Sequence, residues 1–308
     1  MDAVLAWMAL LALPGMGRSR VRRLAEVLGG PQAAWEAGDH RWEEAGVAPP
    51  EVIRRAARAR RGVDPVALGR AVRQQGIGFV AWGDEGYPHR LRAVPDPPLV
   101  LYYRGRMPAQ DVPWVAVVGS RRASSYGTGV AYRLAAEMAA AGWVVASGLA
   151  QGIDAAAHRG ALAAGGPSVA VLGHGPDRVY PPDHAALAEE LAGAGWLVAE
   201  YPPGTPAEAF RFPERNRILA GLCDGVVVVE AAPRSGALVT ADLALAAGRP
   251  VMAVPGPVTR RQGLGILELL RAGAPPVASL EDVAAVLGDH FPWGGRLAPA
   301  GPPAPGSS

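Results

Sequence analysis

Asp154 and His158 stand four residues apart in the stretch SGLAQGIDAAAH (147–158), where a serine and two glycines lead into an apolar, helix-like run. Residues i and i+4 share a helix face. The pair therefore fits an acid/base couple, two metal ligands, the rim of a phosphate cradle, or the polar edge of a buried turn. A second segment, FRFPERNR (210–217), brackets Arg211 with Phe210 and Phe212 and flanks Asn216 with Arg215 and Arg217. Aromatic faces stack on unpaired bases while guanidinium groups hold phosphates. The bland alternative is two core phenylalanines beside solvated arginines. Because the chain has four phenylalanines in all and sets two of them beside three arginines, binding is the favoured reading.

Other chemistries are thinly supplied. Cys223 is the single cysteine, which excludes intrachain disulfides and cysteine-cluster metal sites. The histidines (His40, His89, His158, His174, His184 and His290) never form His-x-x-x-His, so no metal site is expected. There is no Gly-x-Ser-x-Gly, and Ser120, Ser147 and Ser235 lack a sequence-adjacent base. The chain has no lysine, which rules out a P-loop. No Gly-x-Gly-x-x-Gly lies between the first strong strand and its helix, so no dinucleotide fingerprint exists and no cofactor is expected. Every phosphate contact must come from arginine, a backbone N–H or a hydroxyl. Residues 1–108 carry 16 Arg against 11 acids and residues 109–308 carry 14 against 17. A net charge of +2 this unevenly spread permits nucleic-acid binding without establishing it.

The elements that must position these residues follow from periodicity. Ala3 to Leu13 is apolar throughout, but Asp2 and the arginine-rich sequel do not fit a signal peptide; we read a buried helix and a cytoplasmic protein with no membrane association. LLALPGMGRSRVRRL (10–24) reads as a helix-hairpin-helix, with Arg18, Arg20 and Arg22 as secondary DNA contacts or as a solvated basic face. A helix over 66–75, a strand over 77–82 and the short strand LVLYY come next. From 114 the chain alternates: strands 114–118, 143–147, 168–172, 196–200, 225–229 and 250–254, with helices 126–141, 153–164, 183–194, 214–222, 236–247 and 264–271. That rhythm predicts a doubly wound, mostly parallel sheet. The expected domains are a small all-α helix-hairpin-helix domain over 1–63 and a doubly wound α/β domain over 64–287, which the family resemblance given below implies to be SAM-like and extended Rossmann-like respectively. A last helix (280–287) precedes a Pro/Gly-rich disordered tail over 288–308, expected to be too short for the winged-helix domain that many members of the family it resembles, named below, carry.

In such sheets ligands bind beyond the carboxyl ends of the strands. The loops there, GSRRASSYGTG (119–129), SGLAQGID, GHGPDRVYPPD (173–183), YPPGTPAEAFRFPERNR (201–217), AAPRSGALVTA (231–241) and PVTRRQG (257–263), are rich in Gly, Ser and Arg. Small residues let backbone N–H groups converge, helix N-termini add partial positive charge and arginines close the ring, which is the anatomy of a polyanion site.

The blocks VAVVGSRRASSYG, SGLAQGIDAAAHRGAL, VLGHGPDRVYPP, EYPPGTP, FPERNRILAGL, VVVVEAAPRSGALVTADLA and VPGPVT run in order through 114–257 and resemble the DNA-processing protein A (DprA/Smf) family. LPGMG and DPPLVLYYRG extend the resemblance over most of the chain. The resemblance implies a non-catalytic recombination mediator that binds and protects incoming single-stranded DNA during natural transformation and loads RecA onto it. It also implies a homodimer formed through the Rossmann-like domain. Carried over, Arg121 is a principal phosphate ligand and Phe212 stacks on a base, with Arg215 and Arg217 nearby and Gly148, Ser235 and Gly236 lining the pocket. With their neighbours, the expected DNA-binding set is Gly119, Ser120, Arg121, Ser147, Gly148, Arg211, Phe212, Arg215, Asn216, Arg217, Ser235, Gly236 and Thr240. One departure is Leu267, where the family usually has an asparagine in a Gly-x-Asn loop. The competing reading is a nucleotide or nucleoside-monophosphate hydrolase of the lysine-decarboxylase-like kind, with Glu230 as the acid. Its Pro-Gly-Gly-x-Gly-Thr-x-x-Glu pattern is broken here, since Leu243 stands three residues after Thr240. Asp154, in the first helical turn, is read as organising its loop, with His158 hydrogen-bonded to it or to a neighbouring loop.

Overall fold

A computed structural model describes residues 1–92 and 94–290, with burial given as far as Gly288. The chain divides into two compact units, the first made of residues 1–104, 173–178 and 198–207 and the second of the remainder.

The first unit contains helices α1 (Ala3–Leu11), α2 (Arg18–Leu28), α3 (Pro31–Glu36), α4 (Asp39–Glu44), α5 (Pro50–Arg60) and α6 (Pro65–Gln74). Strand β1 (Gly78–Ala81), the short helix α7 (His89–Arg92) and strand β2 (Val100–Gly105) follow. Helix α1 is buried from Leu5 to Leu10, as a helix apolar on every side must be. It ends at Leu11, before the turn in which Gly15 takes φ +80°. Strands β1 and β2 pair antiparallel, Gly78 opposite Tyr103. One core joins Trp7, Met8 and Leu10 to Trp42 and Ile53 and also to Val72, Ile77, Leu99 and Tyr102. The boundary expected at 63 therefore falls inside a packed unit, because the helices before it cannot bury their apolar faces without the hairpin after it.

The second unit carries the α/β alternation: β3 (Trp114–Val118), α8 (Ser125–Ala140), β4 (Val144–Ser147), α9 (Ile153–Ala163), β5 (Ser168–Leu172), α10 (Ala185–Ala194), β6 (Trp196–Ala199), α11 (Arg211–Leu222), β7 (Gly225–Val228), α12 (Gly236–Ala246), β8 (Val251–Ala253), α13 (Arg261–Arg271) and α14 (Leu280–His290). Strands β5-β4-β3-β7-β8 lie side by side in that order, all parallel. Val115, Val117, Val145, Val227 and Met252 share a core with Leu134 and Met138 of α8, Ala157 of α9 and Val283 and Leu287 of α14. Side chains alternate across a strand, yet the intervening Ala116, Val118, Val226 and Val228 are buried too. Both faces are covered, as parallel sheets require. Helices α11 and α12 pack together, α11 against β3 and β5 and α12 against β7 and β8. The fold is the mixed α/β class with a mostly parallel, Rossmann-like sheet. Helix α14 continues to His290, past the expected start of the tail at 288, and residues 291–308 lie outside the described residues.

Candidate nucleic-acid interface

Three strand ends and one helix start converge on an open cleft. The loops after β3, β4 and β5 and the first turn of α11 contribute Arg121, Gly148, Ala150, Gln151, Tyr180, Pro181 and Phe212, lining a space of about 100 Å³. The loop after β3 is held against the start of α9. Ile153 N–H donates to Ser120 O at 3.2 Å, and Ser120 Oγ accepts from Arg122 N–H at 3.1 Å. Gly152 takes φ +78°, and a Cβ there would stand 2.2 Å from Ser120 O, so only glycine lets the two loops meet. The result aims Arg121 outward, its guanidinium carbon 5.3 Å from the centroid of the Phe212 ring. That ring's centroid lies 5.5 Å from that of Tyr180, the planes inclined by 35°. Arg211 lies over Phe210 at 5.0 Å and reaches Glu208 at 3.4 Å. The arrangement presents one exposed guanidinium and an aromatic surface to solvent.

Beneath the cleft lies a buried charged layer. Asp154 Oδ2 accepts from Gly148 N–H at 3.1 Å and Ala150 N–H at 3.3 Å. Arg215, itself buried, donates from Nη1 to Gly148 O at 3.1 Å. The carbonyl of Leu149, whose φ is +58°, accepts from His184 Nδ1 at 3.0 Å. A Cβ on residue 148 would meet Arg215 Nη2 at 2.5 Å and Asp154 Oδ2 at 2.7 Å. Burial pushes the Asp154 carboxyl up, and Arg215 with the Ala150 and Gly148 amides pulls it back. Asp154 thus organises its loop.

His158 bonds neither Asp154 nor a loop. Its Nδ1 meets Ser168 Oγ at 2.8 Å, and that hydroxyl gives its own proton to Val145 O at 2.9 Å. The serine must then accept, so His158 carries a proton on Nδ1, and its buried Nε2 has no partner. Burial, followed by His184, Arg215 and Arg159, lowers its pKa to about 3 from 6.5. Between those values the unfolded chain binds the extra proton, so His158 erodes stability as pH falls from 6.5 toward 3 by up to about 1.4 kcal/mol per pH unit. Asp154, raised above 3.8, has the opposite sign in the window just above that value. In chemical denaturation across this range, His158→Gln should flatten the acid limb; an unchanged slope would place the acid sensitivity elsewhere.

Comparison with known proteins bears on what this cleft belongs to. Protein Smf of Synechocystis is 35% identical over 92% of this chain and 72% of its own length. The DNA processing protein DprA of Bacillus subtilis is 38% identical over 69% of this chain and 72% of its own. The X-ray structure of DNA processing protein A from Streptococcus pneumoniae superposes with a TM-score of 0.81 at 33% identity, covering 92% of this chain and 98% of that one. The Helicobacter pylori protein, described for its single-stranded-DNA binding mode, has a TM-score of 0.61 at 26% identity, covering 70% of this chain and 97% of that one. Residues 78–288 match the family model for DNA recombination-mediator protein A. This chain belongs to the DNA recombination-mediator protein A family.

In this mediator chain the expected DNA-binding set splits by depth. Arg121 and Phe212 line the cleft, with Ser120 beside Arg121 and Arg211 beside Phe212. Gly148 lines it too, but its N–H is committed to Asp154. Gly119 packs flush against Ile153 and Glu230 O, where a Cβ would come within 2.5 Å and 2.9 Å. Several expected ligands face inward, which corrects the sequence reading. Ser147 is fully buried and donates to Val117 O at 2.7 Å. Thr240 is buried and donates to Gly236 O at 3.1 Å, and the same carbonyl accepts from Asn216 Nδ2 at 3.3 Å. Asn216 and Arg215 are therefore internal struts that fix α11. Arg217 is half-buried on the same helix, while Ser235 precedes the first turn of α12 without a side-chain capping bond, its Oγ buried and unpartnered, and Gly236 after it is exposed. Glu230 accepts from the N–H and hydroxyl of Ser124 and abuts Gly127, which makes it an anchor for α8 rather than an open acid.

Tyr180, Pro181, Ala150 and Gln151 were not expected to line the cleft. Tyr180 sits in a proline-flanked loop without periodicity, and its place after β5 was the sole available signal. In the first unit, Arg18 pairs with Asp96 at 2.8 Å and Arg22 with Glu26 at 2.9 Å, while Arg20 donates to Gly15 O at 2.7 Å. The basic face there is narrower than the arginine run suggests.

Proposed function

We propose that this mediator binds single-stranded DNA in the Arg121–Phe212 cleft and passes it to RecA during natural transformation. The observation that carries the reading is an exposed guanidinium set over an aromatic ring at the carboxyl end of a parallel sheet. Phosphates take a guanidinium, and bases take an exposed aromatic surface such as the one Phe212 and Tyr180 form here. The description of the Helicobacter pylori relative supports the same ligand. No helix among the described residues is long and apolar enough to cross a membrane, which agrees with a cytoplasmic site of action. The chain acts without a catalytic step, and Glu230 supports this because Ser124 already occupies its carboxylate. Exposed Val239 and Leu245 on α12 support a homodimer formed through this unit.

The test is a fluorescence-anisotropy titration with oligothymidylate and duplex of equal length. Preferential binding of the single strand is expected, and equal affinity for duplex would refute the assignment. Phe212→Ala should cost about 1–3 kcal/mol of single-strand affinity, because the aromatic surface of the cleft is built on this ring; a much smaller loss would remove Phe212 from the site. Light scattering checks the dimer, strand-exchange assays with RecA check the hand-over, and product analysis after incubation with nucleoside monophosphates checks for hydrolysis.

A further inference from the structure

The Phe212 ring is already engaged. Arg121 lies over it at 5.3 Å and Tyr180 leans on it at 5.5 Å with a 35° tilt. Phe212 is half-buried, whereas Tyr180 is 46% exposed. Another exposed tyrosine, Tyr126, is pinned by donating its hydroxyl to Pro255 O at 2.7 Å. The Tyr180 hydroxyl has no such protein partner among the described residues. The open π-surface of the cleft is thus a tyrosine held from behind by a phenylalanine, with Gln151 on the lip. A glutamine amide both donates and accepts, so it meets any base edge without choosing among them.

We propose that Tyr180 is the platform on which a nucleobase stacks, and that Phe212 is the prop that fixes Tyr180 and Arg121 relative to each other. This rests on the single-strand reading of the cleft and adds to it a base-contacting side chain. Stacking on Tyr180 selects strands with unpaired bases but tolerates their identity, because every base has a π-face.

The test measures binding of the full chain to oligothymidylate and to an abasic strand of the same length. Wild-type protein is expected to prefer the thymidylate. Tyr180→Ala should weaken thymidylate binding about five- to a hundredfold and leave abasic binding unchanged, which also reports that the variant is folded. Tyr180→Phe should stay within about twofold of wild type, since the ring is retained. A Tyr180→Ala variant that loses affinity for both strands equally, or for neither, overturns the proposal. Equal wild-type affinity for the two strands overturns it while leaving the single-strand site standing. Wild-type binding to neither overturns the site itself.

Discussion

Arg121→Ala should weaken oligothymidylate binding by roughly ten- to a hundredfold, the worth of one charge-assisted phosphate contact of about 1.5–3 kcal/mol. It should also make the slope of log affinity against log salt shallower by about 0.7, the value for one phosphate on a single strand. The expectation follows from how the side chain is held. The loop carrying it is clamped to α9 through Ser120 O and Gly152, and the guanidinium lies over Phe212. Part of its ordering cost is therefore met before DNA arrives. No carboxylate among the described residues pairs with it, so its charge is available to a ligand. Arg121→Lys keeps the charge but loses the planar fork, and it should preserve the salt slope while recovering only part of the affinity. Titrations at several salt concentrations separate the two; unchanged affinity for Arg121→Ala at every concentration would remove Arg121 from the site.

The second large effect is on stability. Arg215→Ala should cost about 3–5 kcal/mol, because removing one partner strands the other charge in the interior. Here the stranded group is Asp154, whose carboxylate sits with Arg215 around the Gly148 backbone. Asp154→Ala should cost a comparable amount by leaving the guanidinium buried and the Gly148 and Ala150 amides without their acceptor. Denaturant midpoints with unchanged m-values measure this. A loss below about 1 kcal/mol for either variant would mean that water replaces the missing partner.

These two arginines show how far residue types alone reach. Residue types marked the segment 210–217, with its phenylalanines among arginines, but Arg121 was singled out from Arg122, and Phe212 from Phe210, only through the family resemblance. Arg215 looked equally eligible, yet it is an internal strut, since burial depends on which way a helix turns toward its neighbours. Ser147 and Thr240 misled for the same reason: a hydroxyl in a loop-like context is indistinguishable in sequence from one returned to a strand or helix carbonyl. Strands were plainer. WVAVV is uniformly apolar and SVAVL apolar after Ser168 because both faces are covered, and their observed bounds coincide with those expected. Helix α11 begins at Arg211 rather than 214. Pro213 fits inside the first turn, where its missing N–H forfeits no helical bond. The 63 boundary differs in kind: it was set where a new pattern opens at Asp64, but the hydrophobic core runs on through Val72, Ile77 and Leu99.

The first unit is assembled from three separate stretches, so the backbone passes between the two units five times along its length. No contiguous gene fragment encodes either one. Recombination between genes can exchange a cassette, but here any crossover that moves one unit intact must drag pieces of the other with it. Residues 1–104 can be exchanged as one block, but residues 173–178 and 198–207, which complete the first unit, then stay behind with the sheet.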